Sequence, residues 1–234
     1  MNSDLPKVLH PLAGRPLIDH VISTARELNP DRLILVVGHG REEVQKRVGG
    51  PGLEFVIQEP QLGTGHAVQQ TASLLADWRG DVVVLSGDAP LLKAETLRRL
   101  LASHQRNGAA ATVLTATAPD PVAYGRIIRD RRGDFLRIVE ERDATPDERM
   151  VREVNSGMYG FRSDALFTAL REIAPDNKKG EYYLTDVIAV LRGRGLIVQA
   201  VDLAGFYEIR GINTQAELQD AETRLRKAPA AGNA

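Results

Sequence analysis

The sequence predicts an α/β fold built on an open sheet, and three observations carry that prediction. Short apolar runs alternate with amphipathic stretches of helical period through the first half of the chain. Those runs end in glycine or small polar residues, as buried strands do where they feed loops. From Ala111 onward the rhythm changes to closely spaced β-like segments, which read as a β-rich insertion on the carboxyl side of the sheet.

The elements follow in order. From Pro16 to Leu28, the residues Leu17, Ile18, Val21, Ile22, Ala25 and Leu28 line one face of a helix that proline opens at its first position. Leu33 to Val37 is a buried strand running into Gly38-His39-Gly40. A helix around Glu42 to Val48, a strand from Glu54 to Ile57, a helix from about Thr64 to Leu75 and a strand from Val82 to Leu85 repeat the pattern. Strands alternating with helices imply parallel pairing with right-handed crossovers. A helix near Glu95 to Gln105 precedes the change. Ala111 to Thr117, Arg126 to Arg129, Phe135 to Glu141 and Val154 to Phe161 are then strands, with a turn at Arg131-Arg132-Gly133-Asp134. Asp164 to Leu170 and Leu184 to Leu191 are helices, Leu196 to Val201 is a strand, and Thr214 caps a closing helix to Arg226. Residues 227–234 are small and polar and are expected to fray. With no internal repeat or linker, residues 1–226 make one domain.

Composition narrows the chemistry. The chain has 234 residues, 43% of them hydrophobic and 26% charged, which is ample for a packed core. It has no cysteine, so thiolate metal sites and cysteine nucleophiles are excluded, and oxygen-bound magnesium leads among the metals. With 30 basic against 31 acidic residues it lacks the charge of a nucleic-acid binder. No apolar run approaches the ~20 residues of a membrane span, and the N-terminus lacks a signal-like apolar region, so a cytoplasmic location is expected.

In an open α/β sheet, ligands bind beyond the carboxyl ends of the strands. Gln58-Glu59-Pro60-Gln61-Leu62-Gly63-Thr64-Gly65 is a strand leading through a glycine-rich turn into a helix. Gly63 and Gly65 would let backbone approach a nucleobase closely, with Thr64 as helix cap; an ordinary strand-to-helix turn is the alternative. Ser86-Gly87-Asp88 ends the most hydrophobic strand, where Asp88 is either a magnesium ligand or a turn cap. Asn213, at a late strand end, would complete a metal shell with Asp88 or cap the last helix. Tyr124-Gly125-Arg126, Glu140 with Glu141, and Asn155-Ser156-Gly157 suit recognition of sugar hydroxyls and an N-acyl group, although strand charges are commonly solvent-facing. His10, His20, His39, His66 and His104 show no ligand-like pairing and read as structural or surface residues.

Taken in series, these segments resemble a known family. Asp4 to Leu17 (DLPKVLHPLAGRPL), the Gln58 to Ala67 block, Ser86-Gly87-Asp88, Tyr124-Gly125-Arg126-Ile127, Glu140, Asn155-Ser156-Gly157, GEYYLTD at residues 180–186 and Gly211-Ile212-Asn213 occur in the order of one uridylyltransferase domain. It is that of bifunctional N-acetylglucosamine-1-phosphate uridylyltransferase/glucosamine-1-phosphate acetyltransferase. The resemblance covers nearly the whole chain. It implies a Rossmann-like, glycosyltransferase-A type mixed sheet with a sugar-binding β insertion. It also implies the reaction of UTP with N-acetylglucosamine 1-phosphate to give UDP-N-acetylglucosamine and pyrophosphate, in the service of peptidoglycan and lipopolysaccharide synthesis.

By the same resemblance Gln58, Gln61, Gly63 and Thr64 would hold the uracil end, with Ser86 and Gly87 also at the substrate. Lys7 would contact phosphate, and Asp88 and Asn213 would bind Mg2+. Gly125, Glu140 and Asn155 would hold the amino sugar, with Tyr183 and Thr185 nearby. In this family a first strand and a glycine-rich phosphate loop with an arginine precede the LPK segment, and a left-handed β-helix follows the domain. Met1 falls where the loop's methionine would be, so impaired turnover, or a non-catalytic remnant, is expected of these 234 residues. No acetyltransferase activity is expected, and the oligomeric state is not fixed by the sequence. A nucleotidyltransferase for another base or sugar is a further alternative.

Overall fold

A computed structural model describes residues 5–227. A 3-10 turn, Lys7–Leu9, leads into a short hairpin of β1 (Pro11–Leu12) and β2 (Arg15–Pro16), which the apolar periodicity did not reveal. Helix α1 (Leu17–Arg26) buries Leu17, Ile18, Val21, Ile22 and Ala25, the face expected from their spacing. Pro16 is its N-cap rather than its first residue, because Pro16 also pairs with Pro11 in the hairpin.

Next come β3 (Leu33–Val37), α2 (Arg41–Arg47), β4 (Leu53–Ile57), α3 (Thr64–Gln69) and β5 (Asp81–Val84). Helix α3 stops six residues short of the expected Leu75. There the Thr71 hydroxyl donates to the Val68 carbonyl at 2.7 Å, and backbone bonds tighten to the i→i+3 pattern through residues 71–74. Then follow α4 (Ala94–Arg106), β6 (Ala111–Thr117), β7 (Arg126–Arg129), β8 (Phe135–Val139), α5 (Pro146–Arg149) and β9 (Glu153–Arg162). The chain ends through α6 (Ser163–Leu170), α7 (Leu184–Gly193), β10 (Val198–Asp202), α8 (Phe206–Ile209) and α9 (Gln215–Lys227). The predicted cap of α9 is present: the Glu217 amide donates to Thr214 Oγ1 at 3.2 Å, while the Glu217 carboxylate accepts from the amides of Asn213 and Thr214. Lys227 is still helical, and the rest of the predicted tail lies outside the described residues.

The sheet is mixed. Strands β3 and β4 pair in parallel, as do β6 and β10, but β9 runs antiparallel to β5, β6 and β7. The principal sheet orders β10-β6-β9-β7-β8, with β5 also on β9. Fully parallel pairing thus fails at β9, a ten-residue strand that links the αβ part to the β7–β8 insertion. One face is covered by α6 and α7, whose Leu166, Leu170, Val187, Ile188 and Leu191 pack on Val113, Tyr159 and Phe161. On the other, Leu97 and Leu100 of α4 meet Leu114, Val154 and Met158. A third cluster, Ile18, Val21, Ile22, Val37 and Val44, joins α1 to the β3–β4 pair.

Candidate functional site

Lys7, Asp88 and Asn213 meet although they are far apart in sequence. Lys7 Nζ donates to Asn213 Oδ1 at 2.6 Å and forms an ion pair with Asp88. The Asp88 carbonyl accepts from the Ile212 amide at 3.0 Å, and a Cβ on Gly211 would lie 2.9 Å from the Asp88 carboxylate, so the two segments touch at a position where a larger residue would collide. Asn213 therefore sits as expected, but on a loop after α8 and not at a strand end, since a single backbone bond to Asp88 replaces a ladder. The two oxygen donors already face a cation, the ammonium of Lys7. A carboxylate and an amide oxygen fit magnesium, which takes few protein ligands and keeps waters and phosphate oxygens. No cluster of three or more acidic or histidine side chains suited to a metal occurs among the described residues.

The glycine-rich turn behaves differently from expectation. Gly63 has φ +107°, and a Cβ there would lie 2.7 Å from the Tyr182 carbonyl; the Gly65 amide donates to that carbonyl at 2.8 Å, and the Tyr182 amide to Leu62 at 2.8 Å. The close approach made possible by glycine is to the GEYYLTD segment of this same chain. Thr64 does not cap α3, whose N-cap is Gly63; its hydroxyl instead accepts from the Leu184 amide at 3.1 Å, at the start of α7. Gln58 is fixed by donation to the Gly63 carbonyl at 2.9 Å and by a 3.2 Å contact with His66 Nδ1. Gln61 and Thr64 are exposed. The histidines are structural or surface groups as read: His66 holds Gln58 and Gln70, and His104 is buried against Thr112 and Asp81.

Gly125, Glu140, Asn155 and Thr185 come together. A Cβ on Gly125 would stand 3.5 Å from both Asn155 Cβ and Glu140 Oε1, and 3.1 Å from Ile138. The Thr185 hydroxyl donates to Glu140 Oε1 at 3.3 Å, and the Asn155 amide donates to the Gly125 carbonyl at 2.8 Å. Burial raises the pKa of Glu140, with the Thr185 bond acting in the opposite direction. Burial likewise raises Tyr183, which caps α7 next to the group. Ser86 borders this region, since a Cβ on Gly157 would lie 3.1 Å from its hydroxyl, whereas Gly87 packs on Ile18.

Tyr159, within β9, joins this group through Asn155. Its buried hydroxyl accepts from Asn155 Nδ2 at 2.7 Å, while Asn155 Oδ1 accepts from the Gly157 amide. The two residues stand four apart in β9, where the register against β6 shifts between Val113 and Thr115, and no local pattern in the sequence reports that contact. Glu217, which holds the amides of Asn213 and Thr214, was legible as the third residue of a capping box.

Residues 1–171 match the family model described as the MobA-like NTP transferase domain. The chain is 45% identical to the bifunctional protein GlmU of Bacillus licheniformis over 97% of its own length and 50% of that protein's. It is 48% identical to the GlmU of Shouchella clausii and 45% identical to that of Bacillus subtilis over the same shares. It thus spans about half the length of the curated relatives it matches. The crystal structure of UDP-glucose pyrophosphorylase complexed with UDP-glucose superposes with a TM-score of 0.76 at 17% identity, covering 95% of this chain and 91% of that one. The apo form gives 0.74. The fold is accordingly the Rossmann-like mixed sheet of the nucleotide-sugar transferases.

Proposed function

The chain belongs to the MobA-like NTP transferase family, and from that membership we propose that it transfers a uridylyl group from UTP to N-acetylglucosamine 1-phosphate, giving UDP-N-acetylglucosamine and pyrophosphate. The observation that carries this reading is the convergence of Gly125, Glu140, Asn155 and Thr185 in one place and of Lys7, Asp88 and Asn213 in another. The first group offers a carboxylate, an amide and a hydroxyl to an amino sugar. The second offers a cation and hard oxygen donors to phosphates.

In the proposed reaction a phosphate oxygen of the sugar 1-phosphate attacks the α-phosphorus of UTP. The new P–O bond forms as the bond to the bridging oxygen breaks, and its electron pair leaves with pyrophosphate. No covalent chemistry falls to the protein, which contributes alignment and charge. Asp88 and Asn213 would hold Mg2+, which when bound supplies neutralisation of phosphate charge. Lys7 places a second positive charge at the same phosphates. Gln58, Gln61, Gly63 and Thr64 would face the uracil, their backbone held by the strap to Tyr182 and Leu184. Glu140 accepts from sugar hydroxyls, and Asn155, fixed by Tyr159 and Gly157, orients the pocket wall. The catalytic unit in this proposal is residues 1–226, and its location is cytoplasmic; among the described residues no helix is long and apolar enough to cross a membrane.

The test is a panel of UTP, dTTP and CTP against N-acetylglucosamine, glucosamine and glucose 1-phosphates, followed by pyrophosphate release with Mg2+ present. The expected result is highest kcat/KM for UTP with N-acetylglucosamine 1-phosphate. Preference for another base or sugar, or binding without release, would replace this reading with a different transferase or a non-catalytic binder.

A further inference from the structure

Arg126 is the first residue of β7, and its side chain is only 1% exposed, an unusual place for a guanidinium. It pairs with Val139 of β8 and with Val154 of β9. One step further along the same ladder stand Gly125, Glu140 and Asn155, so the row holding Arg126 directly underlies the row of amino-sugar residues. The guanidinium reaches past both flanks of that row. Nη1 donates to the carbonyl of Tyr124, the residue before Gly125, and Nη2 donates at 2.6 Å to Glu141 Oε2, the residue after Glu140. Glu141 is also gripped from outside, its carbonyl accepting from Arg149 Nε of α5 at 3.3 Å. Among the described residues, Nε of Arg126 has no hydrogen-bond partner.

A buried ion pair is a weak source of stability, because apolar residues of similar volume commonly serve as well or better. What a forked, charge-assisted pair does supply is a fixed geometry. Resting on the functional reading above, we propose that Arg126, acting through Glu141 and the Tyr124 carbonyl, is a positioning residue for the amino-sugar subsite: it sets the spacing between Gly125 and Glu140 without touching substrate. The nucleotide subsite, at Gln58 to Thr64, lies on other elements, and none of its residues bonds the Arg126 guanidinium.

The experiment compares KM for N-acetylglucosamine 1-phosphate with KM for UTP in the full chain, for wild type, Glu141→Gln and the double variant Arg126→Met with Glu141→Gln. The double variant removes both charges together, so no uncompensated buried guanidinium remains, and Glu141→Gln, at a half-exposed position, supplies the result if the double variant does not fold. We expect the sugar KM to rise about fivefold or more in both, with the UTP KM within about twofold of wild type and the melting temperature of the double variant essentially unchanged. An unmoved sugar KM, or equal rises in both KM values, would overturn the positioning role. Wild-type chain that fails to turn over N-acetylglucosamine 1-phosphate would instead sink the functional reading itself, which keeps the two failures apart.

Discussion

Glu140 stands where its own ionisation is opposed, since burial raises its pKa and the Thr185 hydroxyl offsets that only in part. The folded-state value lies above the unfolded one, so the folded chain holds an extra proton in the interval between them. The resulting contribution to stability is full below the ordinary glutamate range and is lost as pH rises through the raised value. Above that raised value the ionised carboxylate is therefore a burden on the fold. Glu140→Gln should melt at or above the wild-type temperature at pH 7, with that advantage shrinking as the pH is lowered. It should also lose roughly 10- to 100-fold in kcat/KM for N-acetylglucosamine 1-phosphate, the loss expected for a hydrogen bond to a charged acceptor. Thermal melts across pH alongside steady-state rates check both halves; a lower melting temperature at pH 7 would show the carboxylate to be structural. Glu140, Asn155 and Asp88 stand out as polar groups at the ends of apolar strands, whereas Lys7 is singled out only by the family resemblance. Their partners are less legible: that Tyr159 fixes Asn155, and Arg126 fixes Glu141, depends on burial that no local pattern reports.

At the scale of elements, the turn from Gln58 to Gly65 and the first turn of α7 behave as one unit. Bonds from Tyr182 to Leu62, from Gly65 to Tyr182 and from Leu184 to Thr64 lace them together across more than a hundred residues of sequence. Gly63→Ala would put a methyl 2.7 Å from the Tyr182 carbonyl while forcing alanine to φ +107°. The expected cost is about 1–3 kcal/mol, read as a lower midpoint in urea, together with a raised KM for UTP. Unchanged stability would mean that the strap is not formed. A positive φ is a local demand that the sequence can show, whereas the segment that the freed backbone approaches, here Tyr182, is decided by tertiary structure. The same limit explains the over-long α3, where side-chain competition at Thr71 tightened a turn that periodicity alone would continue. The hairpin of β1 and β2 and the short α5 and α8 are four residues or fewer each, too short to show a period.

At the scale of the molecule, the two sheets are unequally secured. In the larger, β9 is paired toward both its ends by β5, β6 and β7, and both faces are covered by helices. Among the described residues the other is the pair β3 and β4, and a two-stranded sheet is marginal unless packing supports it. That packing is present on one side, through Ile18, Val21, Val37 and Val44, yet Leu33, Ile34, Leu35 and Val36 of β3 remain half-buried, as do Val82, Val83 and Val84 of β5. Apolar strands without a second neighbouring strand leave both side chains and amides open to water. Local opening of β3 and β4 should then require less free energy than global unfolding. Amide hydrogen exchange read peptide by peptide should show β3 and β4 exchanging at least about tenfold faster than β6 and β9, a gap of about 1.4 kcal/mol in opening free energy. UTP should narrow that gap, because Gln58 follows β4 directly and a ligand that binds only the closed form adds its binding free energy to the closed state. Equal protection in the two sheets without nucleotide would show that packing alone makes them one cooperative unit.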